Sequence, residues 1–211
     1  MADELIFYSN PMSRGRIARW MLEEAGAPYR VEWLTFEGSI KSPDYLAVNP
    51  MGKVPAIRHG KTVVTEAAAI CAYMADAFPE AGLAPPTNQR GDYYRWLFFA
   101  AGPLEMAVSV KAFGLAVPKE RERSIGSGSY ESVMDTLSYA VTRHPYITGE
   151  SFTAADVYVG SHISWGLQFG TLEARPEFTA YWDRLKDRPA YLKAKALDDE
   201  EMHRQLAAAK G

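Results

Sequence analysis

Apolar positions in this chain follow two rhythms, one before and one after about residue 80. Leu5 to Tyr8 is a short apolar run closed by the turn-forming Ser9-Asn10-Pro11, the pattern of a buried strand. Ile17, Trp20, Met21 and Ala25 then recur at helical spacing, with Ser13 placed to cap the start and Gly26 and Pro28 placed to end it. Val31 to Leu34 reads as a second strand, and a crossover of that length predicts a βαβ unit with parallel pairing. Thr35 to Lys53 carries turn chemistry at Ser42-Pro43-Asp44 and at Asn49-Pro50-Met51-Gly52, which predicts a surface loop with a helical turn. Val54 to Arg58 and Thr62 to Thr65 flank His59-Gly60-Lys61 as a hairpin would. Ala67, Ile70, Met74 and Phe78 mark one more helical face, ended by Pro79 and Gly82.

Leu83 to Gly91 contains Pro85-Pro86 and no periodicity, so it reads as a linker. Beyond it the 3.6-residue rhythm takes over. Helices are predicted over Asp92 to Val117, Ser129 to Arg143, Thr153 to Gln168 and Glu177 to Leu197, with Gly126 to Ser129 as an interhelical loop. Thr153 and Asp156 form a T-x-x-D capping box, and Phe152 and Val157 stand at the two positions of a hydrophobic staple. The pattern therefore predicts an α/β domain over residues 1–82, a linker over 83–90 and an all-α helix bundle over 91–211.

Composition narrows the functions open to such a chain. With 211 residues, 47% of them hydrophobic, the sequence supports one large core or two modest ones. A net charge of −3 and the absence of a long Lys/Arg run argue against nucleic acid as a partner. The start MADELIFYSN is acidic where a secretory signal is basic, and no apolar run reaches the length of a membrane span, which predicts a cytoplasmic protein with no membrane partner. The single cysteine, Cys71, rules out an intramolecular disulfide and a CxxC redox pair; beside Ile70 and Met74 it reads as a core residue. His59, His144, His162 and His203 show no ligand spacing, so no metal is expected.

Four segments carry a family likeness: YSNPMSRGRIARWMLEEAG (8 to 26), NPMGKVPAI (49 to 57), TEAAAICAYMADAFPEAGLAP (65 to 85) and FTAADVYVG (152 to 160). In this order and spacing the chain resembles the cytosolic glutathione S-transferases, in particular a bacterial, serine-type member. The resemblance implies a thioredoxin-like glutathione-binding domain followed by an all-helical domain for an apolar electrophile, with glutathione as co-substrate. It implies a cis Val54-Pro55 bond that turns the Val54 backbone toward the cysteinyl unit of glutathione. It also implies that Glu66 holds the γ-glutamyl end, and that Ala67 stands where the family carries a serine, whose hydroxyl contact is therefore missing. Lys53 and Lys41 are the candidate point charges for the glycyl carboxylate.

The chemical problem is the thiol. A free cysteine thiol titrates near about 8.5, so only a few per cent is thiolate at neutral pH. Lowering that pKa by about two units takes roughly 2.7 kcal/mol, within reach of a hydrogen-bond donor at a helix N-terminus. Two hydroxyls qualify: Ser13, where serine-type members carry theirs and where simple helix capping is the other reading, and Tyr8, where tyrosine-type members carry a phenol. Ser13 is taken as the donor and Tyr8 as its rival. Arg14 and Arg16 lie close enough to add positive potential or to be plain surface charge.

For the second substrate, the helix after Asp92 carries more apolar surface than one face can hold, and part of it must meet a pocket or a second subunit. Tyr94, Phe98, Met106, Val110 and Trp165 are the candidates. A two-fold homodimer through that helix and the one after Ser129 is expected from the resemblance. The fold itself leaves conjugation, isomerisation, dehalogenation and ligand binding without catalysis all open.

Overall fold

The computed structural model describes residues 3–115 and 117–208. It divides into two compact units, Met1–Leu83 with Arg188–Gly211, and Ala84–Asp187.

In the first unit, strands β1 (Leu5–Ser9), β2 (Arg30–Trp33), β3 (Ala56–His59) and β4 (Thr62–Thr65) form one mixed sheet in the order β2-β1-β3-β4. β1 runs parallel to β2 and antiparallel to β3, and β3 is antiparallel to β4. Because β1 is an inner strand, Leu5, Ile6 and Phe7 are all buried, which explains its unbroken apolar run. Helix α1 (Gly15–Ala25) ends at Gly26, whose φ of 63° closes the last turn: the N–H of Ala27 reaches back to Leu22 and that of Gly26 to Glu23. The predicted helical turn is α2 (Pro43–Leu46), capped by the Ser42 hydroxyl. Helix α3 (Ala67–Ala77) packs against α1, and Cys71 is wholly buried in it, where burial pushes its thiol far up.

The second unit is helical: α4 (Gly91–Phe99), α5 (Glu105–Ala112), α6 (Tyr130–Thr142), α7 (Ala154–Phe169) and α8 (Pro176–Asp183). The single helix expected over Asp92 to Val117 is interrupted. Ala100–Leu104 forms a π-helical stretch containing Pro103, and α5 stops at Ala112. Proline has no N–H to close an i→i−4 bond, and the widened turn accommodates it. Helix α7 is buried along most of its length and starts at the expected capping box, where Asp156 accepts the Thr153 N–H at 2.8 Å. Asp156 also accepts from the Ile147 N–H at 2.7 Å and from the Tyr181 hydroxyl at 2.6 Å.

The helix expected over Glu177 to Leu197 is likewise two. It breaks before Pro189, and α9 (Pro189–Ala208) falls in the first compact unit. Ion pairs dock it on α1. Asp198 and Arg19, both buried, meet at 2.8 Å, and the Arg19 guanidinium lies over the rings of Phe7, Tyr29 and Trp33. Arg188 grips Glu24 with two nitrogens, at 2.6 and 2.7 Å, Lys193 pairs with Glu23, and Tyr191 sits edge-on to Trp20. Apolar periodicity could not reveal this docking, because these contacts are made largely by charged side chains of α9.

Burial pushes the Asp198 carboxyl up to about 6 against the pull of Arg19. An unfolded aspartate titrates near about 3.9. The folded chain thus takes up this proton first as pH falls, and the stabilisation present below about pH 4 is lost as pH rises through about 6. Relative to an Asp198→Asn variant, which cannot titrate there, the parent should gain on the order of 1 kcal/mol between pH 7 and pH 5 in urea denaturation. Parallel pH curves for the two proteins would contradict this.

Candidate active site

Strand register gathers three chain segments at one end of the sheet. Tyr8 pairs with Ala56, and Ala56 with Thr65. The end of β1, the start of β3 and the end of β4 therefore lie in one row. From that row depart the Ser9–Arg14 loop, the Lys53-Val54-Pro55 corner and the Glu66-Ala67 turn, all within the first unit. Residues separated by more than fifty positions come together because β1 is flanked by β3 and β3 by β4.

Two asparagines build the loops, by the same device. Asn10 and Asn49 each precede proline and methionine, and each is buried. The Asn10 Oδ1 accepts the Met12 N–H at 2.9 Å while its Nδ2 donates to the Leu34 carbonyl at 2.8 Å. The Asn49 Oδ1 accepts the Met51 N–H at 3.1 Å while its Nδ2 donates to the Lys53 carbonyl at 2.8 Å. Both are Asx turns tied to a more distant carbonyl. The repeated Asn-Pro-Met was legible as turn chemistry; its second bond was not, since the acceptor is set by tertiary structure. Tyr45 adds a hydroxyl donated to the same Lys53 carbonyl, at 2.5 Å, and burial pushes its phenol up to about 12.

The corner these groups support contains a cis Val54-Pro55 bond, as expected. Lys53 is exposed there. Lys41 is exposed as well, and its ammonium donates to the carbonyls of Met51 at 3.0 Å and Gly52 at 3.1 Å, bracing the loop from outside. Glu66 is exposed at the N-terminus of α3 and adopts φ 66°, ψ 121°, the one described non-glycine residue with positive φ. That backbone is costly for a side-chain-bearing residue, on the order of 1–3 kcal/mol, and persists only where the surroundings impose it. Ala67, the next residue, is buried.

Ser13 and Tyr8 differ in what surrounds them. The Ser13 Oγ donates to the Asn10 carbonyl at 2.6 Å and accepts the Gly15 N–H at 2.9 Å, so it closes the turn that leads into α1, whose N-cap position is Arg14 rather than Ser13. Gly15 is needed there: a Cβ on it would lie 2.1 Å from the buried Ser9 Oγ. Tyr8 is half-buried, its ring 5.5 Å from that of Tyr45, and it packs with Val48 and Val54 on a cluster of Leu34, Ile40, Tyr45 and Ala56. Arg14 is exposed and Arg16 is turned toward α9, where Asp199 meets it at 2.7 Å.

Residues 12–77 match the family model of the glutathione S-transferase N-terminal domain. Glutathione S-transferase A of Pleuronectes platessa is 32% identical to this chain over 174 residues, covering 77% of each. The chain belongs to the glutathione S-transferase family. Glutathione S-transferase GstA of Escherichia coli O157:H7 is 31% identical over 150 residues, covering 69% of this chain and 74% of the relative. A solved glutathione transferase homologue from Sulfitobacter, with bound glutathione, superposes with a TM-score of 0.74 at 26% identity, covering 94% of this chain and 99% of that one. The chain is thus a glutathione S-transferase, and the sheet with its helical second unit is the transferase fold.

Of the residues expected to meet this transferase's second substrate, Tyr94, Phe98 and Met106 are exposed while Val110 and Trp165 are half-buried. Tyr94 and Phe98 are four apart on α4 and share a face, as do Met106 and Val110 on α5. Their neighbours Tyr93, Trp96 and Leu97 are buried core. Among the described residues no cluster of His, Cys, Asp or Glu could hold a metal ion, and no helix is long and apolar enough to cross a membrane.

Proposed function

We propose that this transferase activates the glutathione thiol through the Ser13 hydroxyl for attack on an apolar electrophile. The observation that carries the reading is the single row of Tyr8, Ala56 and Thr65, which sets the start of α1, the Val54-Pro55 corner and the Glu66 turn at one end of the sheet. An extended tripeptide laid along that end would meet Lys53 for its glycyl carboxylate, the Val54 backbone for its cysteinyl unit and Glu66 for its γ-glutamyl ammonium. Lys41 contributes by holding the Met51-Gly52 loop. Ala67 has no hydroxyl to offer, so the γ-glutamyl carboxylate would rest on backbone N–H groups at the start of α3.

Serine suits the thiol better than tyrosine on the local bonding. The Gly15 N–H already polarises the Ser13 Oγ, and an oxygen that accepts a hydrogen bond is a stronger donor. A thiolate would take the place now held by the Asn10 carbonyl. Tyr8 is instead occupied in packing beneath the corner. The exposed apolar side chains Tyr94, Phe98 and Met106, with Val110 and Trp165, favour an apolar second substrate and, on the remaining face, a second copy of the chain in a two-fold homodimer.

The test is retention on immobilised glutathione followed by turnover of a generic aryl halide. Parent protein should be retained and should conjugate the halide, and Glu66→Ala should weaken retention. Retention without turnover would leave a binding protein; failure of the parent to bind would overturn the reading.

A further inference from the structure

One guanidinium joins the loop that carries Ser13 to the C-terminal helix. The Arg16 Nε donates to the Pro11 carbonyl at 2.5 Å, its Nη1 meets Asp199 Oδ1 of α9 at 2.7 Å, and its Nη2 reaches the Met202 sulfur at 3.7 Å. Pro11 lies between Asn10, whose carbonyl receives the Ser13 hydroxyl, and Ser13 itself. From the inside the loop is held by the Asn10 amide on Leu34; on the α9 side it is held by Arg16. Asp199 is also gripped by Lys195 one turn earlier in α9, and these two cations draw its carboxyl below the ordinary range although burial opposes them. Next to it, Asp198 pins Arg19, so two adjacent acids of α9 take two arginines three residues apart on α1.

We propose that Arg16 is a positioning residue: held by Asp199, it fixes the Pro11 carbonyl and so the place of the Ser13 hydroxyl, making docking of α9 a condition for efficient thiol activation. This rests on the reading of Ser13 as the partner of the thiol. Arg16 itself need not touch glutathione. Its planar fork spans a backbone carbonyl and a carboxylate at once, which a lysine cannot reproduce. The side chains of Arg16 and Asp199 are about a quarter exposed, so the pair can be broken without leaving a deeply buried charge.

The experiment uses full-length protein, an aryl halide assay and amide hydrogen exchange. Asp199→Ala should lower kcat about fivefold with the KM for glutathione within about twofold, and should speed exchange in residues 10–16 while leaving β3 and β4 as in the parent. Asp199→Glu should restore both, and Lys195→Ala, which removes the other partner of Asp199, should change neither. In a Ser13→Ala background Asp199→Ala should cost nothing further. Unchanged exchange over residues 10–16 in Asp199→Ala overturns the proposal whatever the activity does, and so does an additive loss in the double variant. If the loop loosens and kcat falls while Ser13→Ala alone has parental activity, the coupling of α9 to the loop stands and the assignment of the hydroxyl to Ser13 is what fails.

Discussion

Asp156→Ala should destabilise the helical unit by about 4 kcal/mol or more. The carboxylate is wholly buried and collects four donors: the N–H groups of Ile147 and Thr153 and the hydroxyls of Thr153 and Tyr181. Burial pushes it above the ordinary carboxylate range while these same donors pull it back. Alanine removes the acceptor and leaves the donors in place. Each buried donor left unmet costs about 1–3 kcal/mol, and loss of the cap on α7 adds about 1 kcal/mol. The sum is not additive, because freed donors find partial substitutes. For a chain of this size the loss corresponds to a fall in Tm of roughly 10 °C or more. Asp156→Asn keeps the shape and one acceptor, and it should recover part of the loss. Urea denaturation followed by the helix signal measures both. An alanine variant within about 1 kcal/mol of the parent would mean that packing of α7 and the contact between the Thr148 and Thr153 hydroxyls, at 3.3 Å, hold the start of the helix without the carboxylate.

Ser13→Ala should lower kcat/KM for aryl halide conjugation about 10- to 100-fold near neutral pH, with the loss shrinking as pH rises. The upper limit follows from the roughly 2.7 kcal/mol that a shift of about two pKa units represents. At high pH the thiol ionises without help, so a missing donor then matters little. Affinity for glutathione should stay near the parental value, since the hydroxyl is assigned to the thiolate and not to the tripeptide ends. The Gly15 N–H also loses its acceptor, and a stability cost of about 1 kcal/mol accompanies the kinetic effect. Tyr8→Phe keeps the ring on Tyr45 and should leave the pH–rate profile in place. The two profiles beside the parent decide the matter: a basic shift in Tyr8→Phe, with Ser13→Ala unmoved, would transfer the role to the phenol.

Local sequence determined a good deal of this protein. The run Leu5 to Tyr8, the hairpin around Gly60 and the helical faces of Ile17 and Ile70 each became the element their rhythm announced, because a buried strand or an amphipathic face is written in consecutive or evenly spaced residues. Thr153 and Asp156 marked the start of α7 for the same reason, since a cap is a contact over three residues. Where two local signals compete, periodicity misleads. Apolar spacing continues across Pro103 and toward Pro189, yet Pro103, lacking an N–H, sits in a π-helical stretch between α4 and α5, and a turn after Asp183 separates α8 from α9. Only tertiary structure decided the rest. That Asn10 would bond Leu34, that Lys41 would brace the Met51-Gly52 loop, and that Asp198 and Asp199 would dock α9 on Arg19 and Arg16 depend on partners up to 183 residues away. Charge and amide contacts of that kind carry no period along the chain. They become visible once the sheet and helices have brought their partners within hydrogen-bond distance.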